Sequence, residues 1–124
     1  MSASSPVVRA VHFAAACRTP IGKLRGALSS VRPDDLASTV IRDLIAELPA
    51  LDPARTTTST GARQPGGRGH RNVARMTALL AGLPESVPGA TVKRLYASGL
   101  EAVTTAACAI ASGEADIVCA FFDK

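Results

Sequence analysis

The stretch TVKRLYASGLEAV, residues 91–103, has a layout that suits covalent chemistry. It reads as a short strand, then a polar junction, then the first turns of a helix. A helix start offers unpaired backbone N–H groups and the positive end of the helix dipole, which together activate a nucleophile placed there. The side chain at this junction is Tyr96. A tyrosine phenol is protonated at neutral pH, so it is a poor nucleophile.

Three cysteines and two histidines are the other side chains with nucleophilic or acid–base chemistry. Cys17 and Cys119 fall at the ends or interiors of predicted strands, and Cys108 is predicted on or near the buried stripe of the helix that follows the junction. Small buried cysteines are more typical of a core than of a reactive site. His12 falls in a predicted strand and His70 in a glycine-rich segment, which indicates structural or solvated roles. The spacings match no metal-binding pattern, so we predict no metal site.

Composition narrows the classes of function. With 124 residues, 47% apolar and 19% charged, the chain is predicted to be one globular domain, residues 1–124. The net charge of +4 comes from scattered basic residues, which form no stripe for nucleic acid. No apolar run is long enough to span a membrane, and the start MSASSP is unlike a signal peptide. These features predict a cytoplasmic protein with reduced thiols.

Strand-like and helix-like patterns alternate along the chain. Apolar runs predict strands over residues 6–17 and 115–122, and residues 87–96 predict a turn followed by a strand. Amphipathic runs predict helices over residues 32–48, 72–83 and 98–113. The alternation predicts an α/β fold with a mostly parallel sheet. The residues predicted to form the buried helix faces are Leu36, Val40, Ile41, Leu44, Ile45 and Leu48 in the first helix, Val73, Met76, Leu79, Leu80 and Leu83 in the second, and Leu100, Val103, Ala107 and Ile110 in the third.

One segment interrupts this alternation. Residues 56–70, TTTSTGARQPGGRGH, are polar and glycine-rich, and the composition predicts an irregular loop. The alternation calls for a strand at this place, so we expect a sheet that lacks one strand. The segment has neither a phosphate-loop pattern nor interleaved aromatic residues.

Four segments of the chain resemble the N-terminal part of thiolases, the acyl-CoA C-acyltransferases. They are RTPIGKLRGALSSVRPDDLA, NVARMTALLAGLPESVPGATV, ASGLEAV and AIASGEADIV. The nearest resemblance is to the acetyl-CoA acetyltransferase and β-ketoadipyl-CoA thiolase branch, and it covers nearly all of residues 7–120 apart from the glycine-rich segment. It implies a layered α/β fold built from two similar halves, of which this chain is a partial N-terminal half with one strand degraded.

The resemblance also assigns roles at the junction. The family's nucleophilic cysteine lies at a helix start in the motif Asn-(Lys/Arg)-x-Cys-x-Ser-Gly, and residues 93–99 here read KRLYASG. The residues that fit this motif are Arg94, Ala97, Ser98 and Gly99, whereas Lys93 replaces the asparagine and Tyr96 replaces the cysteine. A thiolate is both a good nucleophile and a good leaving group for acyl transfer from a thioester, which a phenol does not match.

The implied activity is thiolytic cleavage of 3-ketoacyl-CoA or the reverse Claisen condensation of acyl-CoA. Acyl-CoA and coenzyme A would be substrates, and no cofactor is expected to be bound. The first turn after Tyr96, residues Ala97, Ser98 and Gly99, would face the substrate through its backbone N–H groups. In the family, the base histidine and a second, proton-shuttling cysteine lie in the other half of the fold, so we expect this chain to be inactive alone.

Three alternatives remain open. A second chain that carries the histidine and second cysteine would complement a half-enzyme, although Tyr96 counts against it. A non-catalytic interaction module would pair with a complete thiolase, in a homo- or hetero-oligomer of the family type. RNA binding through Arg63 and Arg68 of the glycine-rich segment ranks third, and we predict no nucleic-acid partner and no membrane partner.

A shift of reading frame would explain the glycine-rich segment. Codons can be chosen for residues 63–70 that, read one base later, encode Ala-Asn-Gln-Ala-Gly-Glu-Asp, a sequence that resembles the family in this region. We therefore hypothesise a local frameshift between about residues 56 and 70. The nucleotide sequence tests this, since no one-base shift should restore such a strand if the hypothesis is wrong. An incomplete fold is also expected to expose apolar faces and to be marginally stable.

Overall fold

The fold comes from a computed structural model that describes residues 8–61 and 72–122. Three helices, α1 (Pro33–Glu47), α2 (Val73–Leu80) and α3 (Ser98–Ser112), alternate with three strands, β1 (Thr56–Gly61), β2 (Gly89–Val92) and β3 (Ile117–Phe122). A 3₁₀ turn, Pro53–Arg55, leads into β1. Pro33 occupies the first turn of α1, and Gly113 ends α3 in the left-handed conformation that glycine tolerates. The predicted α/β class is confirmed.

The sheet is parallel throughout its described strands, in the order β2-β1-β3. Right-handed crossovers in this order place α2 and α3 on opposite faces of the sheet, because the two connections run in opposite directions. Helix α1 packs against α2 and touches β3, so it joins the face of α2. The predicted mostly parallel, layered arrangement is confirmed.

The prediction of an irregular segment over residues 56–70 is wrong for its first six residues. Thr56–Gly61 forms β1, the central strand, which is hydrogen-bonded to a neighbour on each side. Threonine is β-branched and favours extended backbone, so a polar run of this kind can still form a strand when both of its edges are paired. The expectation that the sheet lacks one strand is therefore wrong. The remainder of the predicted irregular segment, residues 62–70, lies outside the described residues.

The predicted first strand, residues 6–17, is not observed in its described part. Residues 8–19 have no regular secondary structure, and most of them are exposed. One backbone hydrogen bond, from Arg9 N to Ala111 O at 3.4 Å, attaches this stretch to α3. An apolar run becomes a strand only where a neighbouring edge supplies a ladder of hydrogen bonds, and no described strand pairs with this one.

Small residues, more than large ones, form the buried helix faces. Helix α3 buries Ser98, Ala102 and Ala106, whereas Leu100 of the predicted stripe is 70% exposed. Small side chains allow a helix to lie close to a sheet, so the face with alanines turns inward and the predicted stripe is displaced. In α2 the buried residues are Val73, Ala74, Thr77 and Ala78, while Leu79 and Leu80 are exposed; in α1 they are Asp34, Ala37, Ser38 and Ile41.

The central core lies between α1, α2 and the turn that precedes β2. Ile41, Ala78, Leu83 and Val87 form its buried cluster, with Ile45, Ala81 and Phe121 packed at its margin. Many large apolar side chains outside it are exposed, including Phe13, Ile21 and Leu24, which agrees with the expectation of exposed apolar faces.

Helix α2 fixes the start of β2, the strand that carries the junction. The side chain of Asn72 accepts a hydrogen bond from Arg75 N at 3.1 Å and donates one to Gly89 O at 2.9 Å. Arg75 in turn donates to the carbonyls of Val87 and Glu85. Gly89 lies so close to α2 that an added Cβ would stand 2.5 Å from Arg75 N. These contacts tie the strand to the helix beneath it.

Among the described residues, no helix is both long and apolar enough to cross a membrane. The prediction that residues 1–124 form one domain stays a prediction.

Candidate functional site

The junction after β2 lies at the carboxyl edge of the parallel sheet. Gly61, the last residue of β1, is aligned with Val92 on one side and Phe122 on the other, so all three strands end together. Five residues then connect Val92 to the start of α3 at Ser98. Ligands of open α/β sheets bind at this edge, where loops leave the strands and helices begin.

Tyr96 is held in an unusual backbone conformation at this junction. Its φ is 63°, in the left-handed region, and Ala97 N donates a hydrogen bond to Arg94 O at 2.8 Å across the turn. For a residue with a Cβ this conformation costs about 1–2 kcal/mol. The side chain is fully exposed, so its burial does not offset that cost. The strained residue is the one that the sequence places at the nucleophile position.

Ser98 closes the same turn with its side chain. Its hydroxyl accepts a hydrogen bond from Arg94 N at 2.9 Å and donates one to Arg94 O at 2.8 Å. Outside the turn, Arg94 forms an ion pair with Glu101 at 2.7 Å. The hydrogen bond and charge of Glu101 raise the pKa of the Arg94 guanidinium above its usual value. The sequence pattern had assigned Arg94 only to a motif and gave no sign of these bonds.

The three residues predicted to face a substrate have different surroundings. Ala97 precedes α3, and the first N–H groups of α3 lack acceptors within the helix, as at any helix start. The Ser98 hydroxyl is occupied by Arg94, so that side chain is turned toward the protein. At Gly99 an added Cβ would lie 3.2 Å from Cβ of Phe122, so the helix start lies against the end of β3. The substrate-binding role of these residues remains a prediction.

An exposed apolar surface surrounds the junction. We call Leu95, Tyr96, Leu100 and Phe122 the junction surface; all four are at least half exposed, from 50% for Phe122 upward. Phe122 is adjacent to Gly99, and Leu95 and Tyr96 belong to the turn itself. The site is therefore open and apolar on its outer side.

The cysteines lie away from the junction. Cys119 is aligned with Thr58 in the sheet, three positions before the strand ends. Burial raises the pKa of the Cys119 thiol above its usual value. The pKa of the Cys17 thiol is also raised, mainly by burial and to a smaller extent by the nearby carboxylates of Glu47 and Asp43. Cys108 was predicted to point into the core, but it is exposed, because it lies about 200° around α3 from the buried Ala106.

The histidines and metal ligands add little to the site. His12 is exposed in the stretch without secondary structure, and His70 lies outside the described residues. Residues 8–61 and 72–122 contain no group of three or more potential metal ligands.

A second charged group lies at the opposite edge of the sheet and was not expected from the sequence. The carboxylate of Asp116, just before β3, forms ion pairs with the guanidinium groups of Arg55 at 2.8 Å and Arg9 at 3.1 Å. The hydrogen bonds from Arg55 and Arg9 lower the pKa of the Asp116 carboxyl below its usual value. All three side chains are about half exposed, so the group is a surface ion-pair network that ties the chain near residue 9 to the sheet.

Comparison with known proteins agrees with this geometry. The chain is 50% identical over 113 residues to a β-ketoadipyl-CoA thiolase of Pseudomonas knackmussii, which covers 90% of this chain and 28% of that protein. It is 50% identical over 104 residues to a 3-oxoadipyl-CoA/3-oxo-5,6-dehydrosuberyl-CoA thiolase of Escherichia coli, covering 83% of this chain and 26% of the relative. The chain thus spans less than a third of the length of these relatives.

A solved structure gives the same result. The acetyl-CoA acetyltransferase of Bacillus anthracis superposes with a TM-score of 0.86 at 32% identity, covering 95% of this chain and 30% of that one. The family model for the thiolase N-terminal domain matches residues 11–121. Nearly the whole chain is matched in sequence and in fold, and the chain belongs to the thiolase family.

Proposed function

We propose that this chain represents the acyl-accepting part of a thiolase that acts on 3-ketoacyl-CoA, with residue 96 at the position of the acyl acceptor. The main support for this proposal is the position and backbone conformation of Tyr96. It is a strained, fully exposed residue just before α3, at the carboxyl edge of the sheet. The substrates would be acyl-CoA and coenzyme A in the cytoplasm. The two relatives named as thiolases of β-ketoadipyl-CoA and 3-oxoadipyl-CoA support this substrate class.

As it stands, the chain is proposed to have lost covalent acyl transfer. Transfer from a thioester requires a nucleophile that attacks the carbonyl carbon and expels coenzyme A as a thiolate, then leaves in turn. At a helix start a cysteine thiolate satisfies both steps, because the dipole and free N–H groups stabilise its charge. Within residues 8–61 and 72–122, no basic side chain forms a hydrogen bond with the phenol of Tyr96, and His12 lies in an exposed stretch elsewhere in the chain.

The test restores the missing thiol. The wild-type chain and Tyr96→Cys are incubated with acetoacetyl-CoA, and the acylated protein is measured by mass spectrometry with peptide mapping. We expect an acetoacetyl group on residue 96 of the variant alone, with coenzyme A released as the leaving group. Exposed Cys108 is the internal control, since it measures non-specific acylation of a free thiol in the same molecule. Acylation of both cysteines at equal rates, or of neither, would contradict the proposal.

A second candidate function rests on the junction surface. An apolar surface of four large side chains beside a family site is suited to contact another protein. The chain would then act without catalysis as an interaction module that pairs with a complete thiolase. Leu100→Ser removes apolar area from that surface and Leu24→Ser does the same at an exposed site elsewhere. Loss of co-purification with a complete thiolase in the first variant alone would support this function.

A half-enzyme complemented by a second chain makes a different prediction. Turnover would appear on mixing with a polypeptide that supplies the base histidine and second cysteine, and only when residue 96 is cysteine.

A further inference from the structure

Ser98 is a buried polar residue whose hydrogen bonds are made to the junction. It is 6% exposed, and its hydroxyl binds both the N–H and the carbonyl of Arg94, at 2.9 Å and 2.8 Å. The carbonyl of Arg94 also accepts the N–H of Ala97 at 2.8 Å. Three hydrogen bonds therefore close residues 94–98 into a loop, and Tyr96 is the residue at its tip.

Other contacts near the loop do not determine the backbone at Tyr96. The ion pair between Arg94 and Glu101 joins two side chains on the surface, of which the arginine is 68% exposed. The contact of Gly99 with Phe122 lies beyond the loop, inside α3. The ring of Tyr96 is fully exposed, so its packing does not fix φ either. The closed loop is the remaining constraint, and its side-chain part is Ser98.

We propose that Ser98 is the positioning residue of the thiolase site: its hydroxyl holds residue 96 in the left-handed conformation that presents the acyl acceptor at the start of α3. The serine acts through the backbone of Arg94 and does not touch the substrate. The link to acyl transfer rests on the function proposed above, whereas the effect on the backbone of residue 96 does not. This role would explain why the motif has serine at position 98, since alanine has no hydroxyl to close the loop.

The first experiment measures the conformation directly. Tyr96 is the only tyrosine of the chain, so protein labelled with ¹³C and ¹⁵N in tyrosine gives a single backbone signal. A positive φ brings the amide proton close to its own Hα, which produces a strong intraresidue NOE. We expect the strong NOE in wild type, its loss in Ser98→Ala and its return in Ser98→Thr, which keeps the hydroxyl. A strong NOE in Ser98→Ala would overturn the inference.

Hydrogen exchange keeps the inference testable if Ser98→Ala does not fold. In the wild-type chain the N–H of Arg94 donates to Ser98 Oγ at 2.9 Å, so this amide should exchange more slowly than those of exposed loop residues such as Lys93. Equal exchange at the two positions would show that the loop is open in solution and would overturn the proposal in wild type.

The second experiment separates this inference from the proposed function. Acylation by acetoacetyl-CoA is compared in Tyr96→Cys alone and combined with Ser98→Ala or Ser98→Thr. Misplacing a reacting group costs up to about 100-fold in rate, so we expect a loss of at least about tenfold with alanine and recovery with threonine. Equal rates in all three would overturn positioning. No acylation in any of them, with the NOE pattern intact, would refute the acyl-acceptor function and leave the role of Ser98 in the loop supported.

Discussion

Replacing Tyr96 with glycine should stabilise the folded chain. The residue has φ of 63°, which glycine adopts without steric cost. Relief of the left-handed conformation is worth about 1–2 kcal/mol. Glycine also gives the unfolded chain more conformational freedom, which lowers the free energy of unfolding by about 0.4–1 kcal/mol. No buried area is lost, because the tyrosine side chain is fully exposed. The net expectation is a gain of about 0.5–1 kcal/mol in the free energy of unfolding.

Tyr96→Ala is the matched control. Alanine also removes the exposed ring, but its Cβ keeps the steric cost of the left-handed region, so its stability should lie within about 0.5 kcal/mol of wild type. Urea unfolding followed by far-UV circular dichroism measures all three proteins without depending on the tyrosine. With a slope of about 1.5 kcal/mol per molar urea, the glycine variant should unfold about 0.5 M later. Equal midpoints for glycine and alanine would refute the assignment of strain to this residue.

The remaining predictions concern packing, charge and thiol reactivity. Gly89→Ala should lower the free energy of unfolding by about 1–3 kcal/mol, because the new Cβ would stand 2.5 Å from the backbone nitrogen of Arg75; urea unfolding measures it, and a neutral result would contradict the close contact. Asp116→Asn should remove a small, salt-sensitive stabilisation: the folded-state pKa of this carboxyl is lowered, so its contribution is present above the unfolded value of about 3.9 and is lost as the pH falls through the lower folded value. Unfolding at pH 6 and at pH 2 should differ more in wild type than in this variant, and equal differences would refute the ion-pair role. Alkylation at pH 8 with mass mapping should label exposed Cys108 before Cys119, whose thiol pKa is raised by burial; the reverse order would contradict the fold of α3 and β3.

Local patterns were sufficient for most helices and strands. The amphipathic runs predicted α1, α2 and α3 to within a few residues. Their ends are visible in sequence because caps and breakers act within one turn of the chain. The two apolar strands, β2 and β3, were found for a similar reason, since short apolar runs beside turn residues seldom form anything else.

Properties that depend on distant neighbours were not predictable in this way. The polar strand β1 exists because two other strands pair with it, and the apolar residues near His12 remain unpaired because none does. The inward face of α1 was predicted correctly, since none of its six predicted residues is exposed and Ile41 is fully buried. In α2 and α3 the face was misjudged in part, because the size of Leu79, Leu80 and Leu100 was read as burial. A stripe of alanines packs closer to a sheet than one of leucines, and Cys108 was turned outward as a result.

In the candidate site, too, the local elements could be predicted from sequence, but the backbone conformation and the hydrogen bonds could not. The strand, junction and helix around Tyr96 could be predicted from sequence, whereas the assignment of Tyr96 to the family's nucleophile position stays a prediction. The positive φ could not, because tyrosine is a residue that rarely adopts it and no turn signature such as Asn-Gly marks the place. The double hydrogen bond of Ser98 was also hidden, since the motif suggested that this serine faces a substrate.

The closed loop explains how the side chain at residue 96 can differ while the backbone conformation stays the same. The bonds that close it use the backbone of Arg94, the N–H of Ala97 and the hydroxyl of Ser98, and none involves the side chain of residue 96. A side chain that contributes nothing to its own conformation can be replaced at the cost of strain alone, and a fully exposed tyrosine adds no clash with the core. The chemistry of the side chain at residue 96 and the geometry of the junction are therefore separable. A single substitution at residue 96 should restore reactivity toward a thioester wherever this loop is intact.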